Sequence, residues 1–159
     1  MKRIVTSLFQ EIHGRPYSLS APDDEAIIQN TTYLLERLGL HMGEFWFLRD
    51  SLGVYSLELS NAIVAEVDMV EESYALSEFA QEQINSVKNI LSRGRALGQT
   101  PHDWLEIVSS LHFLKNYEVA DGDVAAKFVA EKPQYSDTYL TSAAMGIVDV
   151  IDELGCYPT

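Results

Sequence analysis

Only one cysteine, Cys156, occurs in this chain of 159 residues, and it lies three residues before the last one. One cysteine cannot form an internal disulfide, and a cysteine-rich metal site is excluded as well. Chains without a disulfide framework are typical of reducing compartments. A chain of this length buries about 70% of its surface on folding, which supplies a hydrophobic core without covalent staples. We therefore expect a cytoplasmic globular protein.

Basic residues are also scarce. The chain has 11 lysines and arginines against 24 aspartates and glutamates, and its formal net charge is −13. Binding to nucleic acid depends on lysine and arginine neutralising phosphates, so direct nucleic-acid binding is not expected. An anionic membrane surface is repelled for the same reason. The expected partners are a basic protein or the positively charged nucleic-acid-binding site of another protein.

Long apolar segments are missing from the sequence. A transmembrane helix needs a predominantly apolar stretch of about 20 residues, and no segment of this chain meets that length. Lys2 and Arg3 precede a short apolar run, but Gln10 interrupts it before it reaches the length of a secretory signal. The sequence therefore predicts neither a membrane span nor a signal peptide.

Apolar residues instead recur at spacings of three and four, which is the pattern of amphipathic helices. Ser20, Thr100 and Asp137 stand where N-caps are expected, and Gly14, Gly39 and Gly155 stand where helices are expected to end. The sequence predicts one all-α domain over 1–159, built as a bundle of six or seven helices. Residues 1–20 form an N-terminal helix and loop in this prediction, and residues 156–159 form a tail.

The strongest helical periodicity runs through the middle of the chain. Residues 54–93 contain no glycine or proline, and we predict one long central helix over about 56–92. Such a helix exceeds the usual globular length, so a break near Ser73 or Ser77 is the alternative. The preceding residues, 41–60, fit a helix or a hairpin, and the neighbouring helical signal favours the helix.

Eight acidic residues and no basic residue lie between Arg49 and Lys88. Like charges four residues apart destabilise a helix, so a face of unmixed sign indicates a surface kept for a cationic partner. Exposed aromatic residues supply most of the affinity at such interfaces. The residues predicted to bind the partner are Glu66, Asp68, Glu71, Glu72, Glu78 and Glu82, with Trp46 as an aromatic anchor.

Two pairs of carboxylates suggest an alternative. Asp68 with Glu71, and Asp149 with Asp152, are each spaced one helical turn apart. Two such pairs that face each other could hold Mg²⁺ through oxygen ligands. This arrangement is similar to that of all-α nucleotide pyrophosphohydrolases, and the resemblance implies a Mg-dependent hydrolase.

Two histidine patterns also carry weak resemblances. His112 and the four residues after it resemble the phosphorylated segment of histidine phosphotransfer bundles, with Asn116 in place of glycine. Arg95 and His102 have the spacing seen in the bundle ribonucleases called HEPN domains. A buried or half-exposed histidine on an amphipathic helix is the favoured interpretation of His112. For the second pattern we favour Arg95 as a cation at a helix C-terminus and His102 as a surface residue in the first turn of the next helix.

These features favour a binding protein over an enzyme, with no cofactor. We expect a small acidic cytoplasmic interaction protein that inhibits or neutralises a basic macromolecular partner. Immunity proteins, antitoxins and phage-encoded inhibitors of host defence share this size and charge, which is an analogy of class. The alternative is the Mg-dependent hydrolase built on the paired carboxylates.

Overall fold

The computed structural model describes residues 4–69, 75–119 and 122–155. Within these ranges the chain forms seven α-helices and one two-stranded antiparallel hairpin, so the predicted helical bundle is confirmed. The elements in order are α1 Val5–His13, α2 Asp24–Arg37, β1 Leu48–Asp50, β2 Gly53–Tyr55, α3 Leu57–Val67, α4 Glu78–Ala96, α5 Pro101–Phe113, α6 Val124–Glu131 and α7 Thr138–Leu154. A π-helical turn, Leu114–Glu118, continues α5, and a 3₁₀ turn, Pro133–Tyr135, follows α6. None of the helices in the described residues is long and apolar enough to cross a membrane.

Helix α5 is the axis of the bundle. Every residue from Trp104 to Phe113 is buried, because α2, α4, α7 and β2 all pack against this helix. Its start follows the predicted signal: Thr100 Oγ1 accepts a hydrogen bond from Asp103 N at 3.2 Å, and Pro101 occupies the first turn. The central helix of the bundle is therefore α5, and not the predicted long helix over 56–92.

The long helix predicted over 56–92 is two helices in the structure. Helix α3 ends at Val67 and α4 begins at Glu78. The Ser77 hydroxyl accepts a hydrogen bond from Ala80 N at 3.1 Å, which is N-cap geometry, so the alternative break at Ser77 is confirmed. Both helices pack against α1. Ser73, the other predicted break, lies outside the described residues.

The preference for a helix just before α3 is also wrong, because the chain forms the hairpin there. Hydrogen bonds from Asn30 on α2 explain why the hairpin forms instead of a helix. Its Oδ1 accepts a hydrogen bond from Val54 N at 3.0 Å, and its Nδ2 donates to Leu52 O at 3.1 Å. Gly53 has a φ of +117°, and a Cβ at this position would lie 2.4 Å from Asn30 Oδ1. A contact from a distant helix thus selects the turn.

Two helical glycines offer a test of this packing. A Cβ at Gly94 on α4 would lie 2.3 Å from Trp104 Cδ1, whereas one at Gly146 on α7 would meet nothing within 4 Å. We predict that Gly94→Ala lowers the free energy of unfolding by about 2 kcal/mol through overpacking. Gly146→Ala should raise it by up to about 1 kcal/mol, because alanine favours the helix. Urea unfolding of both variants measures these changes, and a stabilising Gly94→Ala would contradict the packing described for Trp104.

Candidate functional site

Three of the predicted acidic residues are exposed and lack a counter-charge. Asp68 follows the last residue of α3, and Glu78 and Glu82 lie in the first two turns of α4. No ion pair in the described part of the chain includes any of the three. The sequence indicated that these acids lack neutralising partners, and this is confirmed for Asp68, Glu78 and Glu82 within the described residues.

Glu66 belongs to the fold rather than to the surface. Only 5% of the residue is exposed. Its Oε2 accepts a hydrogen bond from Val5 N at 3.2 Å, and its Oε1 accepts from Thr6 N and Thr6 Oγ1, each at 3.3 Å. The carboxylate thus satisfies free N–H groups at the start of α1, where the helix dipole favours negative charge. Burial raises the pKa of Glu66, and a docking partner has no access to it.

The start of α1 also joins the end of α3 to the start of α4. Glu66 binds the first turn of α1 from α3, as above. Ile4 and Leu8 line a cavity of about 240 Å³ together with Leu76 and Ala80, which flank the first turn of α4. Asp68 and Glu78 therefore lie at the same end of the molecule. Glu71 and Glu72, also predicted to bind the partner, are outside the described residues.

Trp46 stands on the loop between α2 and β1, and 80% of the residue is exposed. Its backbone N donates a hydrogen bond to Oε1 of Glu58, an exposed residue in the first turn of α3. At the start of this loop, a Cβ at Gly39 would lie 3.3 Å from the ring of Phe79 on α4, which is itself 47% exposed. We call the exposed side chains at the end of α3 and the start of α4 the acidic face: Asp68, Glu78, Phe79 and Glu82. Trp46 and Glu58 lie at the other end of α3, about 15 Å from Asp68.

An aromatic cavity of about 460 Å³ opens beside Trp46. Trp46 shares its wall with five other aromatic residues: Tyr33, Phe45, Phe47, Phe113 and Tyr117. The guanidinium carbon of Arg37 lies 5.1 Å from the ring centre of Tyr33, which is cation–π distance. Arg37 Nη1 donates to the Tyr117 hydroxyl, whereas Nε is buried without a hydrogen-bond partner among the described residues. Tyr33 and Arg37, four residues apart on α2, were the sequence signal for this cavity, and sequence reasoning missed it.

The carboxylate pair on α7 is occupied by a cation of the chain itself. Lys115 Nζ lies 2.9 Å from Asp149 Oδ1 and 2.6 Å from Asp152 Oδ2, and these hydrogen bonds raise the pKa of Lys115. Asp68, of the other predicted pair, ends α3, which packs on α1 and α2, whereas α7 packs on α5 and α6. Glu71 is outside the described residues. A Mg²⁺ ion at Asp149 and Asp152 would have to displace the Lys115 ammonium.

His112, the candidate for phosphorylation, is completely buried. Its Nδ1 lies 2.7 Å from the Tyr33 hydroxyl, and its Nε2 lies 3.1 Å from Asp152 Oδ1. Burial outweighs the attraction of Asp152 and lowers the pKa of His112 to about 4. A phosphoryl donor cannot reach this ring, so His112 holds helices α2, α5 and α7 together instead.

His102 belongs to a second polar cluster at the start of α5. One ligand atom from each of His102, Asp103 and Glu106 lies within 4.8 Å of the others, which is close enough to share a metal ion. The Glu106 carboxylate, however, is already paired with Lys132 Nζ and accepts a hydrogen bond from the Tyr135 hydroxyl at 2.5 Å. The ammonium of Lys132 supplies the positive charge there, so this cluster acts as an internal ion pair. Arg95, the other half of the HEPN-like spacing, is an exposed residue near the end of α4.

Comparison of the chain with protein-family models, curated proteins and solved structures found no match. The functional argument therefore depends on the residues and their geometry alone.

The burial of His112 predicts a loss of stability in acid. The folded chain has a pKa of about 4 at His112, whereas an exposed histidine has 6.5. Between these values the unfolded chain binds the proton and the folded chain does not, so the free energy of unfolding falls as the pH drops from 6.5 towards 4. The contribution of His112 is about 3 kcal/mol. His13, whose pKa burial likewise lowers to about 4, adds to the effect.

Urea unfolding at a series of pH values tests this with two variants. His112→Gln should be less stable than the wild type at pH 7 and should lose less stability between pH 6.5 and 4. His41→Gln is the control, because the His41 side chain is 70% exposed, and it should keep the full pH dependence. Equal pH dependence in the wild type and His112→Gln would show that His112 does not titrate as described.

Proposed function

We propose that this protein binds a basic macromolecule through the acidic face and thereby inhibits or neutralises it. The observation that supports this is the set of exposed carboxylates, Asp68, Glu78 and Glu82, with no cation beside them in the described residues. The partner is a basic protein or the positively charged nucleic-acid-binding site of another protein. This role places the protein beside immunity proteins, antitoxins and phage-encoded inhibitors of host defence as a class of function.

Within the described residues, no ion pair neutralises the carboxylates of the acidic face. Most described lysines and arginines pair with acids elsewhere in the fold: Arg15 with Asp24, Arg49 with Glu118 and Glu131, Lys115 with Asp149 and Asp152, Lys127 with Glu118, and Lys132 with Glu106. The first cation after Glu82 on α4 is the half-buried Lys88, six residues further along, a rise of about 9 Å. That separation is about one Debye length at physiological salt, so Lys88 screens Glu82 only in part.

The helix dipole accounts for part of this distribution. Glu78 lies in the first turn of α4, and Arg93 and Arg95 lie in its last turn, where each sign is favoured. Asp68 has no such explanation, because it is an acid at the C-terminal end of α3, where the dipole disfavours negative charge. An acid at an unfavourable position supports a role outside the stability of the fold.

Besides complementary charge, an interface needs anchors that supply affinity, and exposed aromatic side chains can take this role. Complementary charge chiefly accelerates encounter, while buried aromatic anchors supply most of the affinity. Trp46 and Phe79 are exposed by 80% and 47%, so both side chains are accessible to a partner. We assign Trp46 the role of anchor and the carboxylates the role of steering the cationic partner.

Affinity capture from the native cell with matched variants tests the proposal. The wild type should retain one basic protein at low salt and release it at about 1 M salt, where the Debye length is about 3 Å. Glu78→Gln with Glu82→Gln should lower the association rate of that protein by about tenfold or more. Trp46→Ala should chiefly increase the dissociation rate.

The control is Glu11→Gln with Glu153→Gln, which removes the same two charges from exposed positions on α1 and α7. This variant should retain the partner like the wild type. Equal loss in both double variants would mean that net charge alone causes binding, and that outcome contradicts a specific acidic face. Retention by all variants at high salt would contradict it as well.

A further inference from the structure

The aromatic cavity beside Trp46 has the dimensions and the wall of a small-molecule site. Its volume of about 460 Å³ lies within the range of about 300–1,000 Å³ that such sites occupy. Tyr33 and Phe113 in its wall are buried, whereas Trp46 and Tyr117 are exposed. The cavity therefore reaches from the core to the surface, and a ligand in it would contact mainly aromatic rings.

Contacts within the chain hold this aromatic wall in place. The ring centres of Tyr33 and Phe47 lie 5.3 Å apart at an interplanar angle of 74°, and those of Phe45 and Phe47 lie 6.5 Å apart at 81°. Both are edge-to-face arrangements, which aromatic pairs favour. A Cβ at Gly43 would lie 2.7 Å from Phe45 Cζ, so a glycine here lets the loop close around Phe45. The wall is thus formed before any ligand binds.

A π-helical turn supplies one side of the cavity. The turn, Leu114–Glu118, interrupts the regular end of α5 and carries Tyr117. Asn116 Nδ2 in the same turn donates a hydrogen bond to His112 O at 3.0 Å. Turns of this kind are found frequently at functional sites. Here the turn brings the Tyr117 hydroxyl to Arg37 Nη1, from which it accepts a hydrogen bond.

Arg37 is the cation of this cavity, and its hydrogen bonds are incomplete. Only 16% of its side chain is exposed. Nη1 donates to the Tyr117 hydroxyl, but Nε is buried without a partner and Nη2 makes no hydrogen bond among the described residues. Buried charged donors without acceptors are destabilising. The Nε–Nη2 edge of the guanidinium therefore lacks the acceptor that it needs.

The acids in the cavity wall do not supply that acceptor. Glu36 Oε2 lies 3.8 Å from Arg37 Nη2, beyond hydrogen-bond distance, and Glu36 Oε1 accepts from Met42 N at 3.4 Å instead. Burial raises the pKa of Glu36, which makes its negative charge less stable. The Glu44 side chain is 93% exposed, so water screens its charge. An anion from outside the chain can complete the pairing of Arg37.

We infer that the cavity binds a small aromatic carboxylate with one or two fused rings, whose carboxylate accepts hydrogen bonds from Arg37 Nε and Nη2. A planar carboxylate matches the guanidinium edge and forms two parallel hydrogen bonds with it. The ring system of the ligand packs against Tyr33, Phe47 and Trp46, where offset or edge-to-face contacts are favourable. Because Nε is buried, the guanidinium must turn slightly to present this edge, and the exposed Tyr117 ring can move with it.

Two other classes of ligand fit the cavity less well. The guanidinium carbon of Arg37 lies 5.1 Å and 5.7 Å from the ring centres of Tyr33 and Tyr117, so these rings already hold a cation and a second one is repelled. A phosphate dianion would lie beside the carboxylate of Glu36 in a chain of net charge −13. A single carboxylate satisfies Arg37 with the least repulsion.

Binding of three ligands with the same ring system tests which charge the cavity selects. We expect naphthoate to bind with a dissociation constant between about 10 μM and 1 mM, the range for a ligand of this size. Naphthamide, its neutral counterpart, should bind at least about tenfold more weakly, and naphthylmethylammonium more weakly still. Isothermal titration calorimetry measures all three. No saturable binding of naphthoate, equal binding of naphthoate and naphthamide, or tighter binding of the ammonium would overturn the inference.

The two tryptophans of the chain show where the ligand binds. Trp46 lines the cavity, whereas the Trp104 indole is buried and donates to Ile90 O at 2.8 Å. In ¹H–¹⁵N NMR spectra, naphthoate should shift the indole signal of Trp46 and leave that of Trp104 unchanged. Saturable binding without a shift of the Trp46 signal would place the ligand elsewhere and contradict the inference.

Two variants that each remove one positive charge test the role of Arg37. Arg37→Met should weaken the binding of naphthoate at least about tenfold and abolish its advantage over naphthamide. Arg93→Met is the matched control, because Arg93 is exposed on α4 and does not line the cavity, and it should bind naphthoate like the wild type. Equal weakening by both variants would mean that net charge, and not Arg37, holds the anion.

Arg37→Lys covers the case in which Arg37→Met does not fold, as judged by urea unfolding. Lysine keeps the charge but cannot form the two parallel hydrogen bonds. Naphthoate should therefore bind to this variant more weakly than to the wild type and still more tightly than naphthamide does. Unchanged affinity would contradict the contact with Nε and Nη2. None of these assays contains a basic protein, so this inference and the proposed acidic face can fail independently.

Discussion

Two ionisable side chains on helix α5, Glu106 and His112, are buried, and their partners decide where the other segments lie. Unpaired charge in the core is strongly destabilising, so Glu106 requires the ammonium that Lys132 brings from the end of α6. The same ammonium donates to the carbonyl oxygen of Ser51 and so ties the turn of the hairpin to the core. His112 binds Asp152 on α7. One buried helix thus positions segments that are far apart in sequence.

The acids of the fold bind basic residues of the same chain, and this connects the fold with the proposed function. The chain has 11 basic residues, and the acids of the fold hold several of those that the structure describes, including Arg15, Arg49, Lys115 and Lys132. In the described part of the chain, none of the cations forms an ion pair with the exposed acids at the end of α3 and the start of α4. A net charge of −13 is consequently concentrated on the surface, where it can attract a basic partner from a distance.

Local signals predicted most of the helices, and distant contacts account for the errors at the hairpin and at Glu66. Caps such as Ser77 and Thr100 are visible in sequence because the capping hydrogen bond spans only three residues. The hairpin was only the less favoured alternative in the sequence, because Asn30, more than 20 residues earlier, selects it. Glu66 was assigned to the surface because its hydrogen bonds go to α1, some 60 residues away, and no local pattern reveals that pairing. Surface placement was predicted correctly for those binding residues whose side chains have no partner in the described part of the chain.

A double-mutant cycle between Glu106 and Lys132 tests the central claim, that paired charge on α5 organises the fold. Glu106→Gln and Lys132→Met should each lower the free energy of unfolding by about 3 kcal/mol or more, because each leaves a buried charge without its partner. The double variant should lose much less than the sum, with a coupling energy of about 2 kcal/mol or more. Urea unfolding of the four proteins gives this coupling directly. Additive losses, equal to the sum within about 0.5 kcal/mol, would contradict the account.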